Sequence, residues 1–116
     1  MKVIIAGGRT FSNYDLLFQT CDKVLSLQTE IEIVSGTANG ADKLGEKYAN
    51  EKEYPIKQFP ADWDKYGKSA GYKRNEEMAK YSDGLIAFWD GKSKGTKHMI
   101  DLAKRHNLKI KVIKYN

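Results

Sequence analysis

Three times along the chain a short apolar run breaks into a glycine-rich turn and then into helical periodicity. The clearest case is the stretch from Ile31 to Tyr48. Ile31, Ile33 and Val34 read as a strand and Ser35-Gly36-Thr37-Ala38-Asn39-Gly40 as a turn, after which Ala41, Leu44, Gly45 and Tyr48 share one helical face. A strand feeding a helix through glycines leaves the first helical N–H groups pointing out of the helix end, with the positive end of the macrodipole behind them. Such a turn either cradles an anion or is simply a tight βα connection whose glycines supply unusual backbone angles. Repetition of the pattern favours the cradle.

The rest of the chain follows the same rhythm. Lys2 to Ala6 is a strand buried on both faces, followed by Gly7-Gly8-Arg9-Thr10-Phe11. Ser12-Asn13-Tyr14-Asp15 has the form of a capping box, and the helix it opens carries Tyr14, Leu17, Phe18, Cys21, Val24 and Leu25 on one stripe, ending near Gln28. The central helix runs to about Lys52, and a short strand, Ile56 to Phe59, lies between Pro55 and Pro60. Ala61 to Gly71 reads as a polar loop, Tyr72 to Tyr81 as a helix and Gly84 to Trp89 as a fully apolar strand. The third glycine turn is Asp90-Gly91-Lys92-Ser93-Lys94-Gly95-Thr96. It leads into a helix over Thr96 to His106 and a last strand over Lys109 to Tyr115.

Alternating strands and helices predict an α/β Rossmann-like, three-layer single domain spanning residues 1–116. Its five parallel strands should run in order 3-2-1-4-5, with helices on both faces and right-handed crossovers. All three glycine turns then lie on the carboxyl edge of the sheet, where such folds bind ligands. Neither a G-x-x-x-x-G-K-[ST] loop nor a G-x-G-x-x-G fingerprint is present, so the turns match no standard phosphate or dinucleotide motif.

Composition narrows the class. With 41% apolar and 30% charged residues the chain reads as a folded soluble protein. No apolar run approaches the ~20 residues of a membrane span, and the N-terminus lacks a signal-peptide pattern. A single cysteine, Cys21, points to a reducing, cytoplasmic setting and to a core thiol rather than a nucleophile. From Lys92 onward eight Lys and Arg face one acid, Asp101, a net +7 against −2 for the remainder. That segment reads either as a nucleic-acid face or as a solvated helix followed by an edge strand guarded by Lys109 and Lys111.

Four blocks carry a resemblance. Ile5-Ala6-Gly7-Gly8-Arg9-Thr10-Phe11, Ser35-Gly36-Thr37-Ala38-Asn39-Gly40-Ala41-Asp42, Ala70-Gly71-Tyr72-Lys73-Arg74-Asn75-Glu76-Glu77-Met78 and Gly95-Thr96 resemble, in matching order, the YspA-like branch of the SLOG superfamily. That Rossmann-like group includes the DNA-uptake protein DprA and the LOG phosphoribohydrolases. The resemblance implies a bacterial or phage protein with a nucleotide-binding pocket. Gly7, Gly8 and Arg9 would be first-turn contacts, and Ser35, Gly36, Gly40 and Asp42 a second-turn phosphate cradle. Arg74 and Asn75 would be a polar pair on the following helix, and Gly95 and Thr96 the last turn. LOG hydrolases carry a glutamate just after that Gly-Thr, whereas Lys97, His98 and Met99 stand here, so a sensor-type binding module is expected over a hydrolase.

Side-chain chemistry agrees with a phosphate-bearing ligand. Arginine binds two phosphate oxygens with one planar fork, which suits Arg9 and Arg74. Asn75 can donate to a base or ribose, and Asp42 is either a ribose contact or a cap of its own helix, paired with Asn39. Asp62, Asp64 and Asp90 are turn residues first and acid–base candidates second. Trp89, with Trp63 and Tyr66, offers a face for a base or closes the core. His98 and His106 lack partners at metal spacing, so no metal site and no cofactor beyond a nucleotide ligand is expected. The expected partners are a small-molecule nucleotide and, weakly, nucleic acid, with no membrane; self-association stays open.

Overall fold

The computed structural model describes residues 1–115. Its elements are β1 (Lys2–Gly7), α1 (Tyr14–Leu25), β2 (Glu32–Ser35), α2 (Ala41–Glu51), β3 (Ile56–Gln58), α3 (Trp63–Tyr66), α4 (Ala70–Tyr81), β4 (Gly84–Trp89), α5 (Lys94–Arg105) and β5 (Lys109–Lys114). A single 3₁₀ turn, Gly67–Ser69, joins α3 to α4. The strands form one parallel sheet in order β3-β2-β1-β4-β5, as the sequence rhythm predicts.

The period of two along the central strands divides the core between the faces of the sheet. Val3, Ile5, Ile33, Ile86 and Phe88 pack beneath α1 and α2, together with Leu17, Cys21, Leu25 and Tyr48. Ile4, Ala6, Val34, Leu85 and Ala87 point the other way, onto Met78 and Ala79 of α4 and Met99, Ile100, Leu102 and Ala103 of α5. Val24, on the predicted α1 stripe, is partly exposed. Burial pushes the Cys21 thiol up to about 12, where it is inert, in keeping with a core role.

Two local expectations are corrected. The start of α1 is not a reciprocal capping box: Asn13 alone caps it, its Oδ1 accepting from the Leu16 N–H at 3.0 Å. The stretch Ala61 to Gly71 is not a loop. Asp62 caps the one-turn α3 by accepting from Lys65 N–H at 3.1 Å, Gly67 breaks it at φ +55°, and α4 already begins at Ala70. That earlier start moves Arg74 from the first turn of its helix to the second. β5 is an edge strand with exposed Lys109, Lys111 and Lys114, the arrangement that discourages sheet-to-sheet pairing. No helix among the described residues is long and apolar enough to cross a membrane.

α2 lies against β1 so closely that Gly45 has no room for a side chain. A Cβ built there stands 2.8 Å from both Cβ and Cγ2 of Ile5. Replacing a mid-helix glycine by alanine ordinarily stabilises by about 0.5–1 kcal/mol. Here overpacking, which costs about 1–3 kcal/mol, opposes it. Gly45→Ala is therefore expected to lower the urea midpoint of unfolding; an unchanged or higher midpoint would contradict this packing.

Candidate functional site

The carboxyl ends of β1, β2 and β4 open onto a cleft at the point where strand order reverses. Its inner part, about 100 Å³, is walled by Gly7 at the end of β1 and Arg9 after it, Ala38 and Asp42 after β2, and Ser93, Gly95 and Thr96 after β4. Arg74, Asn75 and Met78 of α4 close the remaining side. An outer part, about 240 Å³, continues from the shared residues Arg9, Ala38 and Arg74 to Pro60 and Trp63. Together the two reach the lower end of the roughly 300–1,000 Å³ usual for small-molecule sites.

Arg74 is the hub. Its Nη1 donates to the Gly36 carbonyl at 2.5 Å and its Nε to Asn75 Oδ1 at 3.1 Å, which fixes the guanidinium between the two parts of the cleft. Asn75 is buried, and its Nδ2 donates to the Gly95 carbonyl at 3.3 Å, joining α4 to the first turn of α5. Ser93 begins α5 without a side-chain cap, and its Oγ lies 3.2 Å from Thr96 Oγ1. The N–H groups of that first turn have no intrahelical partners, and Ser93, Gly95 and Thr96 line the inner cleft. A Cβ built on Gly95 would meet nothing within 4 Å among the described residues, so the backbone there is open to an incoming group.

Several predicted contacts take other places. Gly40 has φ +79°, and a Cβ there would stand 2.2 Å from the Gly8 carbonyl oxygen, so its missing side chain makes room for the first turn. Gly8 is covered by the Tyr115 hydroxyl. Ser35 donates to Glu46 at 2.6 Å and accepts from Thr37 N–H at 3.0 Å. That second bond holds Thr37 at φ +66°, a costly angle for a β-branched residue. Trp89 turns its indole N–H onto the Ser93 carbonyl at 3.1 Å and packs with α5. Asp90 accepts from the Lys92 and Ser93 amides, both at 2.8 Å, which shapes the third turn and holds its carboxyl below the usual range.

Gly7, Arg9, Asp42, Arg74, Asn75, Gly95 and Thr96 thus converge on the inner cleft, and Gly36 borders the outer one. Sequence reasoning missed Ala38, Met78, Ser93 and Met99, whose small or apolar side chains carry no chemical signal. Trp63, 52% exposed, is the aromatic face that reaches the cleft rather than Trp89.

Comparison with known proteins accords with this architecture. The YspA, cpYpsA-related SLOG family matches residues 1–66, more than half of the chain. The chain belongs to that family. The Gene 61 protein of Mycobacterium phage D29 is 28% identical over 116 residues, covering 94% of this SLOG chain and 93% of the phage protein. Among solved structures, DNA processing protein A from Helicobacter pylori superposes with a TM-score of 0.66 at 21% identity. That match covers all of this chain but 66% of the larger protein, and at this identity it establishes a common fold. The solved structure concerns that protein's single-stranded DNA binding mode.

The charge balance of this SLOG cleft is uneven. Asp42, second residue of α2, is 5% exposed and accepts from Ala38 N–H at 3.2 Å rather than forming a capping box with Asn39. Burial pushes its carboxyl up to about 6, against the opposing help of the Ala38 amide and the Arg74 charge. Burial likewise lowers Arg74, and the like charge of Arg9 lowers it further, while Asp42 supports it.

Because the folded protein holds the Asp42 proton more tightly than the unfolded chain, this group's stabilisation is complete below about pH 4. It is lost as pH rises through 6, a change on the order of 3 kcal/mol. Stability of the parent relative to Asp42→Asn is therefore expected to fall between pH 4 and 7, measured by urea unfolding. A pH-independent difference would show that Asp42 is not the buried acid described.

Proposed function

We propose that the cleft binds a nucleotide or nucleotide derivative, its phosphate held by Arg9, Arg74 and the first turn of α5, and that the domain senses this ligand rather than hydrolysing it. One observation carries the reading: two arginines from different elements converge beside open helix-start backbone at Gly95. Two cations held together in a partly desolvated cleft repel each other, and an anion placed between them relieves that repulsion. Trp63 stands at the outer end, where a base can stack on its exposed face while the phosphate sits inside. The position after Gly95-Thr96 holds Lys97 instead of the glutamate of LOG hydrolases, which favours binding over glycosidic cleavage.

A second reading takes its support from the single-stranded DNA binding of the structural neighbour. On that reading the cleft accepts one nucleotide of a strand that continues over α3 and α4, past exposed Trp63 and Tyr72 with Lys65, Lys68 and Lys73. Asp62, Asp64, Glu76 and Glu77 are exposed among the residues of α3, its cap and α4, and they oppose a long anionic track, so the mononucleotide reading is preferred.

A thermal-shift screen with AMP, GTP, NAD, ADP-ribose, cyclic nucleotides and a short oligodeoxynucleotide, followed by calorimetry, tests both. Arg9→Ala, at an exposed position, is expected to leave the fold intact and to weaken the best nucleotide by about 1.5–3 kcal/mol, the worth of a charged hydrogen bond. Gly95→Val is expected to fold, since its side chain enters open space, and to abolish binding. Binding by both folded variants at the parental level would retire the phosphate site. Tighter, steeply salt-dependent binding of the oligonucleotide would favour the strand reading.

A further inference from the structure

His98 lies outside every role assigned so far, yet it closes the hydrogen-bond chain that sets Arg74. Its Nδ1 is 3.2 Å from Asn75 Nδ2, and its ring packs edge-on against Tyr72 with centroids 4.5 Å apart. The direction of this chain follows from donor and acceptor inventory alone. Arg74 Nε can only donate and the Gly95 carbonyl can only accept, so the Asn75 amide has one allowed orientation: oxygen to Arg74, nitrogen to Gly95. The second Asn75 N–H then points at His98 Nδ1, which must carry a free lone pair. The neutral imidazole with its proton on Nε2 is the form that fits.

We infer that His98 is the positioning residue of the anion site: by accepting from Asn75 it locks the amide that aims the Arg74 guanidinium and ties α4 to the first turn of α5. The inference rests on the nucleotide reading for its functional meaning, while the chain itself is a property of the empty protein. A proton on Nδ1 sets N–H against N–H. Turning the amide to relieve that clash would set its oxygen against the Gly95 carbonyl and its nitrogen against the Arg74 donor. Protonated His98 therefore loosens Arg74.

The other groups facing the ring are Asp101 and Arg105 on α5 and Glu76 on α4. The two acids favour the imidazolium, and burial and Arg105 oppose it, leaving His98 below its ordinary value. At neutral pH the residue is thus the acceptor that the chain requires.

Two substitutions separate acceptor chemistry from packing. Asparagine places Oδ1 at the same bond distance along the side chain as His98 Nδ1 and does not titrate, whereas leucine fills similar space without an acceptor. In ¹⁵N NMR of the ligand-free parent, His98 is expected to show an unprotonated Nδ1 and Arg74 a slowly exchanging Nε–H. Arg74 keeps that signal in His98→Asn and loses it in His98→Leu. An Nδ1–H in the parent, or an unaltered Arg74 signal in His98→Leu, would overturn the inference whatever the protein binds.

With AMP as probe, His98→Leu is expected to bind about fivefold to tenfold more weakly than the parent, the scale of one ordered hydrogen bond, and His98→Asn nearly as well. The ratio of parental to His98→Asn affinity should decline as pH falls below the ordinary imidazole range, since burial holds His98 below its usual value. Asp42 titrates in both proteins and cancels from that ratio. Equal AMP affinity in His98→Leu and the parent would contradict the positioning role. Failure of the parent to bind any nucleotide would instead retire the functional reading and leave the NMR result to decide the chain.

Discussion

The carboxyl edge of this fold depends on how the backbone of one residue, Gly8, is held on both sides. Its N–H donates to the Phe88 carbonyl at the end of β4, and its carbonyl accepts from both Phe11 N–H and Ala41 N–H, each at 3.2 Å. The first turn, the start of α2 and the last part of β4 are thereby fastened at one point. Side chains are excluded around it: Gly40 leaves space for the Gly8 carbonyl, and the Tyr115 hydroxyl lies where a side chain of residue 8 would be. Buried backbone polar groups must find partners, and here the partners come from three separate stretches of chain. The cleft forms beside this junction because the chains have been drawn together on one side of it and diverge on the other.

Electrostatics then give the cleft its sign. Arg9 and Arg74 face the same space, Asp42 offsets part of their charge, and burial acts against all charge in the inner part. Arg74 would be a poor choice for stability alone, since a guanidinium removed from water needs its donors satisfied. The Gly36 carbonyl and Asn75 supply that satisfaction and at the same time fix where the fork points. The interactions that make a buried arginine tolerable are thus the ones that make it directional.

Much of the fold was legible in the sequence. β1, β2 and β4 are short apolar runs that end at glycine turns, β3 is set off by two prolines, β5 alternates lysine with apolar residues, and each long helix shows one apolar stripe, so element order and parallel topology followed from chain periodicity. α3 escaped notice because four residues are too few to show a period, and its marker, Asp62 at the cap, looks like any turn aspartate. The glycines of the site were legible as glycines, but their purpose was not. Gly40 serves the packing of two turns and Gly95 faces open space, a difference that depends on which chain lies opposite. His98 was weighed only as a metal ligand, and its hydrogen bond to Asn75 escaped notice because the two residues lie on different helices. Trp63 was one of three aromatic candidates, and only the position of α3 separates it from Trp89.

The most direct measurement of the central claim is a two-dimensional NMR titration of the ¹⁵N-labelled protein with AMP. The account predicts saturable shifts at the Gly95 and Thr96 amides, the Arg74 Nε–H and the Trp63 indole N–H, with the β5 amides unmoved. Shifts confined to the lysines and amides of β5, or an AMP complex that leaves Gly95 and Arg74 unperturbed, would contradict it.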